Sequence, residues 1–240
     1  MKIKTNAPET KPTVLRALVA VWPICLGYLA IGLAFGVLAR QSGLAVYQIA
    51  LMSMIVFAGS AQFIAVSMIS SGASALSIII TTFMVNLRHL LMSSSLTLHL
   101  KGKNKAMLSL FAYGVTDESF AVNLGKFLDG DWNLKDALVV NHVANVFWVI
   151  STILGGYAGQ FIPAGAFGID YALTGMFLCL LVFQLRGRLY VLVAVIAGIL
   201  SVVFYLAIPG NAYVILSSVL AATIGVGIKS WYLHTKKVEQ

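Results

Sequence analysis

Residues 83–94 read FMVNLRHLLMSS and place Asn86, Arg88 and His89 near the middle of an apolar run that extends from Ala75 through Leu100. In a soluble protein such a stretch is a helix with one wet face. The rest of the chain excludes that setting. Of 240 residues, 60% are hydrophobic and 10% charged, with a mean hydropathy of +0.93, whereas soluble domains carry roughly 25% charged residues. No globular core of this size hides so many apolar side chains. Apolar runs of about 20 residues recur, each long enough to cross ~30 Å of hydrocarbon as a helix, and the alternation of barrel strands is missing. The polar residues of FMVNLRHLLMSS therefore stand at mid-membrane in an all-α, polytopic helix bundle.

Eight apolar segments are expected, at about 14–39, 44–70, 74–100, 106–127, 137–160, 169–185, 189–208 and 212–232. The connections (RQSG, SSGA, KGKNK, LDGDWNLK, PAGAFG, RGR and PGN) are short. Residues 1–240 are thus expected to form a single transmembrane domain, with polar tails at 1–13 and 233–240. The first apolar segment runs on into more membrane sequence without an A-x-A-like site, so it reads as a span and not as a cleaved signal. Gly32 and Gly36 in that segment make a GxxxG ridge, which suits close helix contact. In the second segment, FAGSAQF at 57–63 interrupts the apolar run. Gly59, Ser60 and Gln62 there fit either tight packing or a local unwinding that opens backbone groups to a cavity. At least one segment is accordingly expected to be broken or re-entrant, which leaves seven or eight segments.

The net charge of +8 does not point to nucleic acid, because no basic stripe carries interleaved aromatics. It fits the excess of Lys and Arg at the cytoplasmic face of membrane proteins. If all eight segments cross, Lys2, Lys4, Lys11 and Arg16, then Arg186 and Arg188, then Lys229, Lys236 and Lys237 share one side, the cytoplasm. Lys101, Lys103 and Lys105 then fall outside, against the rule. A re-entrant 44–70 segment removes one crossing but flips everything downstream. Cys25 and Cys179 lie singly in apolar runs and are given no chemistry.

An unpaired charge at mid-membrane costs from about 2.5 to more than 10 kcal/mol, so Arg88 needs an acid or a cavity. The fourth segment, read as a continuous helix antiparallel to the third, carries Asp117 and Glu118 near its centre, at the depth of Arg88. Adjacent helical residues point about 100° apart, so both acids cannot sit squarely on Arg88. The one left over must meet water, a proton or a substrate. His89 is either a proton relay or a neutral imidazole bonded to a carbonyl. Asn141 and Asn145 share one helix face and suit interhelical hydrogen bonds. No His pair has zinc-ligand spacing, and neither a GxSxG elbow nor a P-loop occurs. No enzyme activity, metal or cofactor is expected.

FAGSAQF at 57–63, NLRH at 86–89 and TDESF at 116–120, in that order and after GLAFGVLA at 32–39, resemble the azaleucine-resistance (AzlC-type) family over about residues 15–235. The resemblance implies the large subunit of a two-component exporter of branched-chain amino acids in a bacterial cell (inner) membrane. It further implies a small AzlD-type membrane partner and export driven by the proton-motive force. The substrates implied are valine, leucine and isoleucine, with methionine as a further candidate. A zwitterionic amino acid needs a cation for its carboxylate, an anion for its ammonium and apolar surroundings for its side chain. Gly59, Ser60, Gln62, Asn86, Arg88, Asp117 and Glu118 are the expected substrate-binding residues, and Glu118, Asp117 and His89 the candidates for proton coupling. Of the two acids, the one farther from Arg88 is expected to carry the proton, and the longer Glu118 is assigned that role. The competing readings are a passive small-solute channel and a structural membrane subunit. A channel would want a continuous polar face along several helices, whereas the polar groups here gather at one depth.

Overall fold

Apolar segments become long helices, the first of them with Pro23 inside it, except where the chain turns at 56–58 and 114–116. The computed structural model describes residues 13–163, 168, 171, 174–175, 178–179, 181–182, 185, 187–207 and 212–238. Its helices are α1 (Thr13–Gln41), α2 (Val46–Ile55), α3 (Gly59–Ser70), α4 (Ala75–Thr97), α5 (Lys105–Tyr113), α6 (Asp117–Leu128), α7 (Leu134–Ala158), α8 (Arg188–Ala207) and α9 (Ala212–Val238). Four of them, α1, α4, α7 and α8, are long and apolar enough to cross a bilayer, with mean hydropathies of 2.2, 1.5, 1.7 and 2.7. Polar side chains such as Ser53, Gln62, Asn123, Asn141 and Thr152 are buried, while Leu91, Val202 and Leu206 face outward. That inversion of the soluble pattern is what a lipid solvent demands. The protein is a multi-pass membrane helix bundle. The expected polar tail at 1–12, most of segment 169–185 and the PGN connection lie outside the described residues.

Two of the expected segments are broken, within the expectation of at least one. Segment 44–70 divides into α2 and α3 at Val56–Ala58, where Phe57 takes a φ of 40°. Segment 106–127, expected to be continuous, divides into α5 and α6 at Gly114–Thr116. The physical reason is local. Thr116 accepts a hydrogen bond from the Ser119 N–H (3.3 Å), and the Ser119 hydroxyl accepts from the Thr116 N–H (2.9 Å). Such a reciprocal cap, with Asp117 and Glu118 in the first turn, starts a new helix.

The described residues group into two compact units, one of residues up to 71 with 85–172, the other of 72–84 with residues from 173 onward. In the first unit α1 and α7 run parallel. Arg16 bonds Asp136, the Tyr28 carbonyl accepts from Ser151, and Gly36 meets Gly155 and Gly156. A Cβ on Gly36 would stand 2.6 Å from the Gly156 nitrogen, so the GxxxG ridge serves close backbone approach.

Both broken segments are hairpins. Gln62, in the first turn of α3, donates to Ser53 in the last turn of α2 at 3.2 Å. A helix continuing straight would separate two residues nine apart by about 13 Å. Likewise the Asn141 side chain bonds both Asn123 of α6 (2.9 Å) and the Phe111 carbonyl of α5 (3.0 Å), which only a chain that doubles back allows. The hairpins enter from opposite ends of α7. Val46 and Ile49 pack on Gly156 near its C-terminus, whereas Phe111 and Phe127 share a core with Leu134 and Ala137 near its start. Their tips meet midway: Tyr113 donates to the Met54 carbonyl and its ring lies 6.2 Å from that of Phe57.

The same order recurs twice: a long helix, then a hairpin of two half-length helices. α3 (Gly59–Ser70) and α6 (Asp117–Leu128) are both 12 residues long, and they begin 58 positions apart. α1 runs from Arg16, beside Asp131, toward the end where α2 enters. The 85–97 part of α4 runs the opposite way, bringing Leu96 and Leu100 to Leu134 and Ala137. The two halves therefore form an inverted repeat, a pattern in which membrane transporters place their sites at the repeat interface.

This arrangement corrects the expected sidedness. With both hairpins re-entrant, Lys101, Lys103 and Lys105 lie at the Arg16 end, where His99 stacks on Phe127 at 5.4 Å. They obey the positive-inside rule. After Cys25 and Cys179 are replaced, a cysteine at Ser42 is expected to react with a membrane-impermeant maleimide from outside intact cells. Cysteines at Lys103 and Asp131 should react only after permeabilisation. External labelling of Lys103→Cys would overturn the double-hairpin topology.

The second unit holds an antiparallel pair, α8 and α9, joined across 208–211. Gly225 packs on Val193, and Tyr205 meets Tyr213 edge to face at 5.3 Å.

Candidate functional site

The tips of the two hairpins bring two half-helix N-termini together halfway along α1 and α7. Ala58 gives α3 no side-chain cap, so the N–H groups of its first turn point into the site without an internal acceptor. α6 is the opposite case, capped by Thr116 and opened by two acids.

Arg88 reaches this point from α4. Its Nη2 lies 3.0 Å from Asp117 Oδ2, and the same nitrogen donates to Ser60 Oγ. One guanidinium thereby ties the N-terminus of α3 to that of α6. The Arg88 and Asp117 side chains keep 29% and 22% of their surface exposed, so the pair is reachable and not sealed. Arg88 Nε and Asn86 Oδ1 are buried without a partner among the described residues. A guanidinium offers five donors, and this one retains capacity for an acceptor.

Glu118 does not share Arg88. Its Oε2 sits 2.7 Å from the hydroxyl of Tyr28 on α1, and that hydroxyl is also 2.7 Å from Thr116 Oγ1. The divergence of adjacent helical side chains has sorted the two acids, Asp117 onto the cation and Glu118 onto a phenol. With all three ionised, Arg88, Asp117 and Glu118 carry one excess negative charge. A neutral zwitterion cannot cancel it; a proton or another cation can.

Of the expected residues, Ser60, Arg88, Asp117 and Glu118 stand together, and His89 lies next to them on α4, half-buried. Asn86, also half-buried, directs its oxygen to no described partner. Gly59 backs onto the Trp148 ring, where an added Cβ would lie 3.1 Å away. Gln62 does not join the group. Its fully buried amide accepts from Trp148 Nε1 (3.0 Å) and donates to Ser53, which in turn accepts from Thr152 at 2.8 Å. It holds the first hairpin on α7.

Sequence reasoning missed Tyr28, Thr116 and Trp148. Tyr28 lies in an otherwise apolar segment and touches the site only through tertiary structure. Trp148 packs edge to face on Tyr28 (5.3 Å) and stacks on Phe35 (5.9 Å). Thr116 could have been found, because Thr-Asp-Glu-Ser after a glycine is the sequence signature of a helix start. Among the described residues no group of three or more His, Cys, Asp or Glu side chains could hold a metal ion.

The profile of the AzlC protein family matches residues 23–162, the stretch that holds both hairpins and every residue of the site. The branched-chain amino acid transport protein AzlC of Bacillus subtilis is 28% identical over 85% of this chain and 80% of its own length. An uncharacterised membrane protein of Archaeoglobus fulgidus is 32% identical over 80% of this chain and 84% of its own. Inner membrane protein YgaZ of Escherichia coli is 27% identical over 76% and 78%. No solved structure matches the chain.

Proposed function

We propose, from the premise that this chain belongs to the AzlC family, a family of transport proteins and not of enzymes, that it is the large subunit of an exporter of branched-chain amino acids. Valine, leucine and isoleucine are the substrates, with methionine as a further one. A small AzlD-type membrane protein is its partner, the bacterial inner membrane its location, and proton antiport its coupling. The name of the Bacillus subtilis relative supports the substrate class, and that of the Escherichia coli relative the location.

The observation that carries the reading is the cluster of Ser60, Arg88, Asp117 and Glu118 between two facing hairpin tips. In this reading the substrate carboxylate takes the donors that Arg88 has left and the uncapped N–H groups of α3. Its ammonium lies toward the Asp117 carboxylate, and its side chain lies against apolar tip residues such as Phe57. Arg88 is a fixed cation, Asp117 its fixed partner and Glu118 the proton carrier, with His89 beside them. An inert ion pair would leave neither Arg88 Nε nor Asn86 Oδ1 unpartnered. That favours a binding role over a structural subunit.

Bacteria fed dipeptides of valine, leucine, isoleucine or methionine are expected to accumulate less free amino acid when this chain and its small partner are produced together. Neither alone should suffice. Equal accumulation with and without the pair would remove the substrate assignment.

A further inference from the structure

We propose that Tyr28 is the positioning residue of Glu118, and that its hydroxyl passes the protonation state of that carboxyl to the tip of the second hairpin. The inference rests on Glu118 as the proton carrier and adds a residue and a connection to that reading.

A phenol has one proton. The Tyr28 hydroxyl stands 2.7 Å from Glu118 Oε2 and 2.7 Å from Thr116 Oγ1, so it donates to one of them at a time. When Glu118 is ionised it can only accept, and Tyr28 donates to it. The Thr116 hydroxyl then donates to the Tyr28 oxygen. When Glu118 holds a proton on Oε2, that O–H donates to Tyr28, and Tyr28 must turn its own proton to Thr116. The Thr116 hydroxyl then turns toward Ser119 Oγ (3.4 Å), whose own hydroxyl reaches the Gly114 carbonyl (3.3 Å). Every proton stays on its own oxygen, and only the direction of donation reverses. The chain ends on the backbone of the α5–α6 tip.

Three features keep this chain from relaxing into a simpler arrangement. Tyr28, Thr116 and Ser119 are 6%, 6% and 0% exposed, so bulk water does not substitute for any link. The Tyr28 ring is wedged edge to face against Trp148 (5.3 Å) and Phe57 (6.4 Å), and its carbonyl accepts from Ser151 at 3.0 Å. Tyr28 therefore touches the tips of both hairpins at once, Phe57 of the first and Thr116 of the second. The charged and titratable groups acting on the Glu118–Tyr28 pair are Arg88 and His89 from α4 and Asp117 from α6; Tyr113 from α5 lies beyond Phe57 and stacks on His142 of α7 at 6.3 Å. α2 and α3 contribute no charge.

Infrared difference spectra of the purified protein between acid and neutral pH test this without any transport assay. The carboxyl band that disappears in Glu118→Gln belongs to Glu118. In Tyr28→Phe that band should move to higher frequency, as expected of a carboxyl that has lost its phenol. Its titration midpoint should shift by about half a pH unit or more, the effect of one lost hydrogen bond. Thr116→Val leaves the Tyr28 packing intact and should shift the midpoint too, whereas Thr116→Ser should behave as the natural protein. A Glu118 band unchanged in frequency and midpoint in both Tyr28→Phe and Thr116→Val would overturn the inference while leaving Glu118 as proton carrier. Absence of any band lost in Glu118→Gln would instead remove Glu118 from proton coupling, and the inference with it.

Discussion

Arg88→Gln is expected to reduce amino-acid transport by about 30-fold or more in vesicles carrying both subunits. Removing one partner of a fully buried, hydrogen-bonded charge pair costs about 2–5 kcal/mol, and this part-buried pair stands at the low end of that range. Here the loss strikes twice: Asp117 is left without its cation, and the substrate carboxylate loses its counter-charge. Arg88→Lys keeps the charge but loses the guanidinium's remaining donors, the unpartnered Nε among them, so it should restore protein yield more than transport. The double variant Arg88→Gln/Asp117→Asn separates the two roles. It strands neither Arg88 nor Asp117, and deleting both partners of a buried pair is often neutral for stability. Near-normal thermal stability with transport still absent is the expected result. If the double variant transports as well as the natural protein, the pair is a strut and the site lies elsewhere.

The pairing of Arg88 with an acid at mid-membrane was legible because hydrocarbon leaves a charge so few alternatives. The long helices α1, α4, α7 and α8 were legible for the same reason: nothing but a helix satisfies twenty apolar residues in lipid. FAGSAQF announced the first break through composition. The second was hidden because LFAYGVTDESFAV averages to an apolar window, and the cap chemistry of Thr116 and Ser119 was outweighed by that average. Missing it left the sidedness unresolved: a re-entrant 44–70 segment alone brings Lys101, Lys103 and Lys105 to the Arg16 side but flips the basic groups after 127, and only the second break restores those. Gln62 was read as a site residue because a lone amide in an apolar run has two explanations. Only the positions of Ser53 and Trp148 choose between them. Tyr28 was illegible in principle: it lies 90 residues from Glu118, and no local pattern links them. The inverted repeat was equally hidden, because α3 and α6 correspond in length and place while their residues differ (GSAQF against DESFA).

The sorting of the two acids leads to the sharpest expectation. Asp117 stands 3.0 Å from the guanidinium, and protonating it would strand Arg88. Glu118 meets a neutral phenol, which accommodates either state by turning its hydroxyl. In the proposed coupling Glu118 carries the proton, and a proton there lets the empty carrier return through the membrane. Glu118→Gln mimics the protonated form permanently. It should abolish transport driven by a pH gradient while leaving counterflow exchange of labelled for unlabelled substrate within a few-fold of normal. Counterflow requires only that the loaded carrier reorient, and the loaded carrier keeps Arg88, Asp117 and Ser60. Asp117→Asn should damage both assays, because it removes the partner on which the position of Arg88 depends. The contrast between the two variants is the decisive measurement. Full gradient-driven transport by Glu118→Gln would move the proton to Asp117 or His89, whereas loss of counterflow in the same variant would make Glu118 a substrate ligand instead of the carrier of the proton.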